Sequence, residues 1–258
     1  MSTNTTLQDK TAGADPWISR TDDRRIREEY QARREKVTVV IPTRNEEAGI
    51  GDIITYCRPY ADELLVIDGH STDQTRAIAA ELGARVVLDT GKGKGAAIRQ
   101  AIREVTGEII VFIDADYSHH PADIPRLVVP ILRGEADHVV GSRPRGGSDE
   151  LHGDFEKFMR AIGSDIITLG INYRFGVRLT ESQNGFRAIR TAAARHLNLK
   201  EKITTIEQEM TIKTLRRGFR IFEVPTHEYK RRFGDSKIKL SRVFFRYVYS
   251  WLKYMIID

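Results

Sequence analysis

From Val37 onward, short β-branched runs alternate with segments of helical periodicity. VTVVI (37–41), ELLVID (63–68), ARVVL (84–88) and EIIVFID (108–114) are apolar at consecutive positions, the pattern of strands covered on both faces. Between them the spacing predicts helices from Glu46 to Tyr56, Asp73 to Leu82 and Lys94 to Val105. Strands alternating with helices imply βαβ units and a mostly parallel sheet. Every such strand ends at one carboxyl edge, where sheets of this kind bind ligands. PTRNEE, DGHSTD, DTGKGKG and DADYSHH all fall there.

Beyond HVVGSR (138–143) the pattern loosens. Leu151, Phe155, Phe158, Met159, Ile162 and Ile166 recur at three- and four-residue spacing, which predicts an amphipathic helix. QNGFRAIR (183–190) is a candidate strand, Thr204 to Arg217 a further helix, and FRIFEVP (219–225) a strand stopped by Pro225. The closing segment places Lys239, Arg242, Arg246 and Lys253 close to one helical face. Phe244, Phe245, Val248, Trp251, Leu252 and Met255 crowd the others. That arrangement suits a helix lying in a lipid interface, or one packed on protein, and both readings stay open. At the other end, MSTNTTLQDKTAGADP reads as a disordered arm and DDRRIREEYQARREK as a solvated helix. The expected division is therefore residues 1–35 as arm and charged helix, 36–236 as the catalytic domain, and 237–258 as the C-terminal amphipathic helix.

Composition narrows the setting. A chain of 258 residues, 40% of them hydrophobic, can bury a substantial core. Cys57 is its single cysteine, which excludes an intrachain disulfide and a thiolate zinc site and fits a reducing, cytoplasmic location. No run of about 18 apolar residues occurs and the first forty lack a secretory pattern, so the expectation is a soluble or peripheral protein. The net charge of +5 admits anionic lipid or phosphorylated ligands. Nucleic acid is set aside, because aromatic residues are not interleaved with the basic loop as stacking platforms require.

Asp114 and Asp116 lie two apart at a strand end, so both carboxylates can point to one side and hold a hard divalent cation. Asp68 ends the second strand and can accept from a nucleobase imide or a ribose, while Ser71, Thr72 or Asp73 can cap the next helix. GKGKG (91–95) meets neither the P-loop nor the Gly-x-Gly-x-x-Gly pattern, yet its glycines admit an anion to backbone amides, with Lys92 and Lys94 on the donor side. RRFGDSK (231–237) gathers Arg231, Arg232, Ser236 and Lys237 around a glycine, a cationic clamp suited to phosphate. His119 and His120 precede Pro121 and read as turn structure.

Taken in order, VVIPTRNEE, VIDGHSTDQT, GKGKGAAIRQA, FIDADYSHHP, GSR, QNGFRA, EQEM with GFRIFEVP, and RRFGDSK resemble the family 2 glycosyltransferases, and among them the dolichol-phosphate mannosyltransferase type. The likeness covers residues 37 to about 240. It implies the α/β GT-A fold, a mostly parallel sheet flanked by helices. It implies nucleotide contacts from Pro42, Arg44, Glu46, Asp68, Lys94, Asp114 and Ala115, and Mg²⁺ or Mn²⁺ on Asp114 and Asp116 with Ser118 at the third position. Asp116, Glu181 and Glu209 become the catalytic candidates, with Glu209 a better family match than Glu207. Arg143, Arg231, Arg232, Ser236 and Lys237 become the acceptor-phosphate residues. The chain departs from the family at Arg44, usually aromatic, at Ser118, often Gln, and at Glu181, commonly Asp. Base stacking and the third metal contact are thereby left open.

The resemblance implies inverting transfer of a hexose from a nucleotide sugar, GDP-mannose favoured, to a polyprenyl phosphate at the cytoplasmic face of a membrane. The protein would be peripheral on that anionic surface. Charge builds on the leaving diphosphate in such a reaction, and a divalent metal with basic side chains stabilises it. A phosphate acceptor is already anionic and needs a cationic clamp more than a base. Two other readings stay open. One uses UDP-glucose or another nucleotide sugar with a soluble hydroxyl acceptor and needs a carboxylate base, Glu181 or Glu209. The other is a nucleotide-sugar binding module without turnover.

Overall fold

The computed structural model describes residues 24–91, 93–149, 155–231 and 240–256. The predicted arm, Lys92, the start of the helix predicted from Leu151, and Arg232, Ser236 and Lys237 of the basic loop lie outside them. Seven strands form one sheet among the described residues: β1 (Val37–Thr43), β2 (Glu63–Asp68), β3 (Arg85–Leu88), β4 (Ile109–Phe112), β5 (His138–Ser142), β6 (Arg187–Arg190) and β7 (Ile221–Pro225). Their order is β3-β2-β1-β4-β6-β5-β7. Only β6 runs against its neighbours, antiparallel to β4 and β5, whereas β7 is parallel to β5. The amino end of β6 therefore meets the carboxyl ends of the other six.

The helices are α1 (Arg24–Gln31), α2 (Ile50–Cys57), α3 (Thr75–Glu81), α4 (Lys94–Glu104), α5 (Ile124–Leu132), the single turn α6 (Arg143–Gly146), α7 (Phe155–Phe175), α8 (Thr191–His196), α9 (Ile206–Arg216) and α10 (Leu240–Ile256). Side chains of a strand alternate between faces, and two cores result. Val37, Val39, Ile41, Val66 and Val111 pack with Ile50, Ile53, Leu127 and Val128 of α2 and α5. Val40, Leu65, Ile67, Ile110 and Phe112 pack with Ile98, Ile102 and Met210 of α4 and α9. A smaller core joins Ile167 and Ile171 of α7, Ile212 of α9 and Tyr254 of α10. No described helix is long and apolar enough to cross a membrane.

The first helix after β1 begins at Ile50 instead of Glu46, because the stretch before it is drawn into the neighbouring loop: the Glu46 amide donates to Thr75 Oγ1 and the Glu47 amide to Asp73. α1 is docked more firmly than a solvated helix would be: Tyr30 is buried, and Glu29 pairs with Arg133 at 2.7 Å. α7 continues to Phe175, beyond the Ile166 limit of the apolar spacing.

Asp123, at the start of α5, is buried, with Arg126 3.7 Å away. Burial pushes its carboxyl up to about 6. An acid raised in the fold binds more protons folded than unfolded, so stability falls as pH rises from the ordinary value near 4 to about 6, then stays reduced. Asp123→Asn is expected to be more stable than the parent at pH 7.5 by up to about 3 kcal/mol, the gap closing near pH 4. Urea titrations at the two pH values test it, and a pH-independent gap refutes it.

Candidate active site

The loops after β1 and β2 are stitched together. Asn45 donates its amide to Ser71 Oγ at 2.9 Å and accepts from the Thr72 amide at 2.9 Å, while the Glu46 amide donates to Thr75 Oγ1 at 2.9 Å. Asp68 accepts from the Ser71 amide at 2.9 Å and from the Ser71 hydroxyl, with Arg76 at 3.7 Å, and has no exposed surface. Asp68, expected to contact the nucleotide, thus closes its own turn in the ligand-free structure. Of the other first-loop candidates, Pro42 is half-buried within β1 and Arg44 is exposed, its Cβ close beside Gly69.

Lys94, first residue of α4, reaches Asp114 at 2.8 Å and Glu207 at 3.0 Å. Burial alone would lower the lysine, but Asp114 and then Glu207 outweigh it and hold it above its ordinary range. Burial would raise Asp114, and Lys94 reverses that, holding the carboxyl below the usual range. Gly185 faces this pair, and a Cβ there would lie 3.0 Å from both Asp114 Oδ2 and Lys94 Nζ. Only a residue without a side chain leaves that approach open. Arg187, wholly buried, donates to the carbonyls of Asn184 and Glu207 and so ties this loop to α9, and burial pushes its guanidinium down to about 10.

Tyr117 stands at φ 64° between Asp116 and Ser118, its hydroxyl on Asp52 at 2.7 Å. Asp116 accepts from the Ser118 amide at 3.0 Å and pairs with Arg231 at 3.0 Å, while Ala115 is buried behind it. Ser118 is itself buried, and its carbonyl accepts from the Tyr229 amide at 2.9 Å. His120 caps the following turn by accepting from the Ala122 amide, in keeping with the turn reading. His119 instead stacks on Phe186 at 5.0 Å, and burial lowers its pKa.

Arg143 begins the turn after β5 and bridges Glu181 at 2.6 Å and Glu228 at 3.1 Å. Burial opposes the charge on Arg143, yet its two carboxylates, Glu181 first, raise it further. Burial would raise Glu228, and Arg143 brings it below its ordinary range. The edge thus brings together Lys94, Asp114, Asp116, Arg143, Glu181 and Arg231. It also holds two carboxylates the sequence reading did not select. Glu228 could have been found as the first acidic residue after the strand stopped by Pro225.

Glu209, expected among the catalytic residues, has partners of its own. Glu209 has no exposed surface; it accepts from the amides of Lys200 and Glu201 at 2.8 Å each and pairs with Lys213 at 2.8 Å. Those partners hold it in the packing of α9, while Glu207, two residues earlier, carries the contact with Lys94.

Asp114 and Asp116 offer hard oxygen donors, and no cluster of three or more His, Cys, Asp or Glu able to hold a metal is found among the described residues. Two carboxylates fit Mg²⁺ or Mn²⁺, which keep their remaining positions for water and phosphate oxygens.

Residues 38–202 match the model of glycosyl transferase family 2. The chain is 32% identical over 205 residues to the glycosyltransferase AglJ of Haloferax volcanii, covering 78% of this chain and 65% of that protein. It is 29% identical over 208 residues to the low-salt glycan biosynthesis hexosyltransferase Agl6 of the same organism, covering 79% and 50%. It thus spans between half and just under two thirds of these relatives. Among solved structures, glucosyl-3-phosphoglycerate synthase from Mycobacterium tuberculosis with Mn²⁺, UDP-glucose and phosphoglyceric acid is similar at TM-score 0.69 and 26% identity, over 90% of this chain and 84% of that one. Its complex with Mg²⁺ and UDP gives TM-score 0.70 at 25% identity, over the same shares.

Removing one partner of a buried pair leaves an uncompensated charge, at a cost of about 3–5 kcal/mol. Glu209→Ala is expected to lose stability on that scale in urea denaturation. Glu209→Gln, if it folds, is expected to keep its activity. A stable Glu209→Gln variant with no activity would return Glu209 to the catalytic set.

Proposed function

The chain belongs to glycosyl transferase family 2, and from that premise we propose that it transfers a hexose from a nucleoside diphosphate sugar to an acceptor bearing a phosphate or carboxylate. The carrying observation is the juxtaposition of Asp114 and Asp116 with Lys94 and Arg231 at the carboxyl edge of a GT-A sheet. Asp114 and Asp116 are the residues to hold Mg²⁺ or Mn²⁺, which would act as a Lewis acid on the departing diphosphate. Lys94 and Arg231 supply fixed positive charge to the same oxygens, where charge develops. Ser118 contributes its amide to Asp116 and so sets that carboxylate's orientation.

UDP-glucose is the favoured donor on the likeness to complexes holding it, ahead of the GDP-mannose suggested by sequence. A small soluble acceptor has the same support, because the similar synthase was crystallised with phosphoglyceric acid. Arg143 suits the acceptor's anionic group, being a partly exposed cation anchored by Glu181 and Glu228. Glu181 is buried under that guanidinium, which favours a positioning role over proton abstraction.

A second reading, polyprenyl phosphate as acceptor at the cytoplasmic face of a membrane, draws support from one observation. Ile166, Leu169 and Tyr173 of α7 and Phe245, Tyr249, Leu252 and Ile256 of α10 form exposed apolar stripes, and the two helices meet where Trp251 packs on Gly170. Such a face, flanked by Arg174 and Arg246, matches an anionic lipid interface.

Labelled UDP-glucose and GDP-mannose, each with Mn²⁺ or Mg²⁺, are to be offered phosphoglycerate and a polyprenyl phosphate in parallel. Label from UDP-glucose in the aqueous product supports the first reading, and label in the lipid phase the second; no transfer from either donor removes both. Asp116→Ala is expected to cut transfer by at least about 100-fold, since loss of even an outer-shell metal partner is felt on that scale. Its circular dichroism should be unchanged. Full activity in this variant removes the metal assignment.

A further inference from the structure

We propose that Tyr254 and Glu201 form a latch by which α10 holds Lys94 at the sheet edge, making both of them positioning residues for the donor. The role of Lys94 toward the donor rests on the function proposed above; the latch itself rests on the contacts alone.

Tyr254 is wholly buried although it lies on a helix whose Phe245, Tyr249, Leu252 and Ile256 are exposed. A buried phenol requires a partner for its hydroxyl, and Tyr254 donates to Glu201 Oε1 at 2.9 Å. Lys253 adds its ammonium, 3.0 Å from that hydroxyl and 3.5 Å from the same carboxylate oxygen. The second oxygen of Glu201 accepts from Thr205 Oγ1 at 2.6 Å, and the Glu201 amide donates to Glu209 at 2.8 Å. Tyr247 adds a second tie from α10, its hydroxyl 2.9 Å from Thr204 Oγ1. Segment 201–205 is therefore fastened on one side to α10 and α9.

Its other side is pressed on the first turn of α4. A Cβ at Gly95 would lie 2.7 Å from the carbonyl oxygens of Glu201 and Ile203, and one at Gly93, where φ is 103°, would lie 2.8 Å from that of Lys202. The Ala96 amide also donates to the Lys202 carbonyl at 3.2 Å. Lys94 stands between these two glycines, and its ammonium meets Glu207, in the first turn of α9 directly after the segment. Backbone packing this close leaves no slack, so a displacement of Glu201 must move the start of α4 or open a gap beneath it. The Tyr254 hydroxyl and the Lys94 ammonium are thus joined through one short segment.

Tyr254→Phe keeps the ring in its core and removes only the hydroxyl. In the ligand-free protein, acetylation of Lys94 read by mass spectrometry against exposed Lys36 is expected to rise roughly threefold or more, with a smaller rise in Glu201→Gln. Calorimetric binding of UDP with Mn²⁺ is expected to weaken roughly fivefold, and the donor KM to rise with little change in kcat. Trp251→Phe, which loosens α10 from α7 without touching Glu201, is the control and should leave Lys94 reactivity near that of the parent. Unchanged Lys94 reactivity in Tyr254→Phe overturns the latch, as does an equal rise in Trp251→Phe, which would show general loosening. A parent chain that takes up no nucleoside diphosphate while Lys94 still responds to Tyr254→Phe removes the donor reading and leaves the latch standing.

Discussion

Desolvated carboxylates gathered at one edge of the sheet are the constraint on which the rest of this structure depends. Asp68, Asp116, Glu181 and Glu207 are buried there, with Asp114 and Glu228 beside them. An ionised carboxylate removed from water without a partner costs several kcal/mol, so a chain that buries this many must bring a donor to each. It does so from distant segments. Lys94 answers Asp114 and Glu207, Arg231 answers Asp116, and Arg143 answers Glu181 and Glu228. Asp68, placed deepest, is satisfied chiefly by its own loop. These pairings close the tertiary structure, since each joins elements far apart in sequence. The reversed strand β6 matters for the same reason, because its direction delivers Glu181 and Gly185 to the edge where the parallel strands end.

The edge also concentrates backbone strain. Asn45, His70 and Tyr117 all have positive φ, and each falls in the loop just after β1, β2 or β4. A non-glycine residue in that region costs about 1–3 kcal/mol and persists only where its surroundings determine it. Those surroundings are visible. Asn45 is held by Ser71 and Thr72, the His70 ring by the Asp89 carbonyl at 3.0 Å, and Tyr117 by Asp52. Strain and side-chain ion pairs thus fix the same few loops, and rigid loops keep charged groups in place without ligand.

How much of this was legible in the sequence differs by element for physical reasons. β1 to β4 could be read because strands covered on both faces leave contiguous apolar runs, and their loops followed from the shared carboxyl edge. Asp114, Asp116 and Lys94 were found by that placement. The direction of β6 was not legible, since a four-residue run carries no mark of parallel or antiparallel pairing. Which of Glu207 and Glu209 meets Lys94 was not legible for a similar reason. Residues two apart on a helix face different sides, and which side meets Lys94 depends on how α9 packs, a tertiary fact. The closed turn at Asp68 was not legible, because a carboxylate before Gly-x-Ser serves equally as ligand contact or as turn cap. The apolar residues of the last helix were seen, but Tyr254, which is wholly buried and reaches Glu201, was not among them.

Stability and the proposed chemistry draw on the same cations, and this bears on how such a site can vary. Lys94 and Arg231 let Asp114 and Asp116 lie at the edge in the ligand-free fold. Ammonium and guanidinium groups are equally the natural partners of phosphate oxygens. Replacing either by an apolar residue removes a phosphate partner and also leaves a carboxylate unanswered. Arg143 is held likewise, by two carboxylates on opposite segments that anchor the turn after β5 and keep its guanidinium in place for the acceptor of the proposed reading. Variation in acceptor is therefore cheapest at exposed rim positions whose side chains answer no buried charge. At Lys94 each change must be matched at Asp114 and Glu207 together, and the three are expected to vary as a unit.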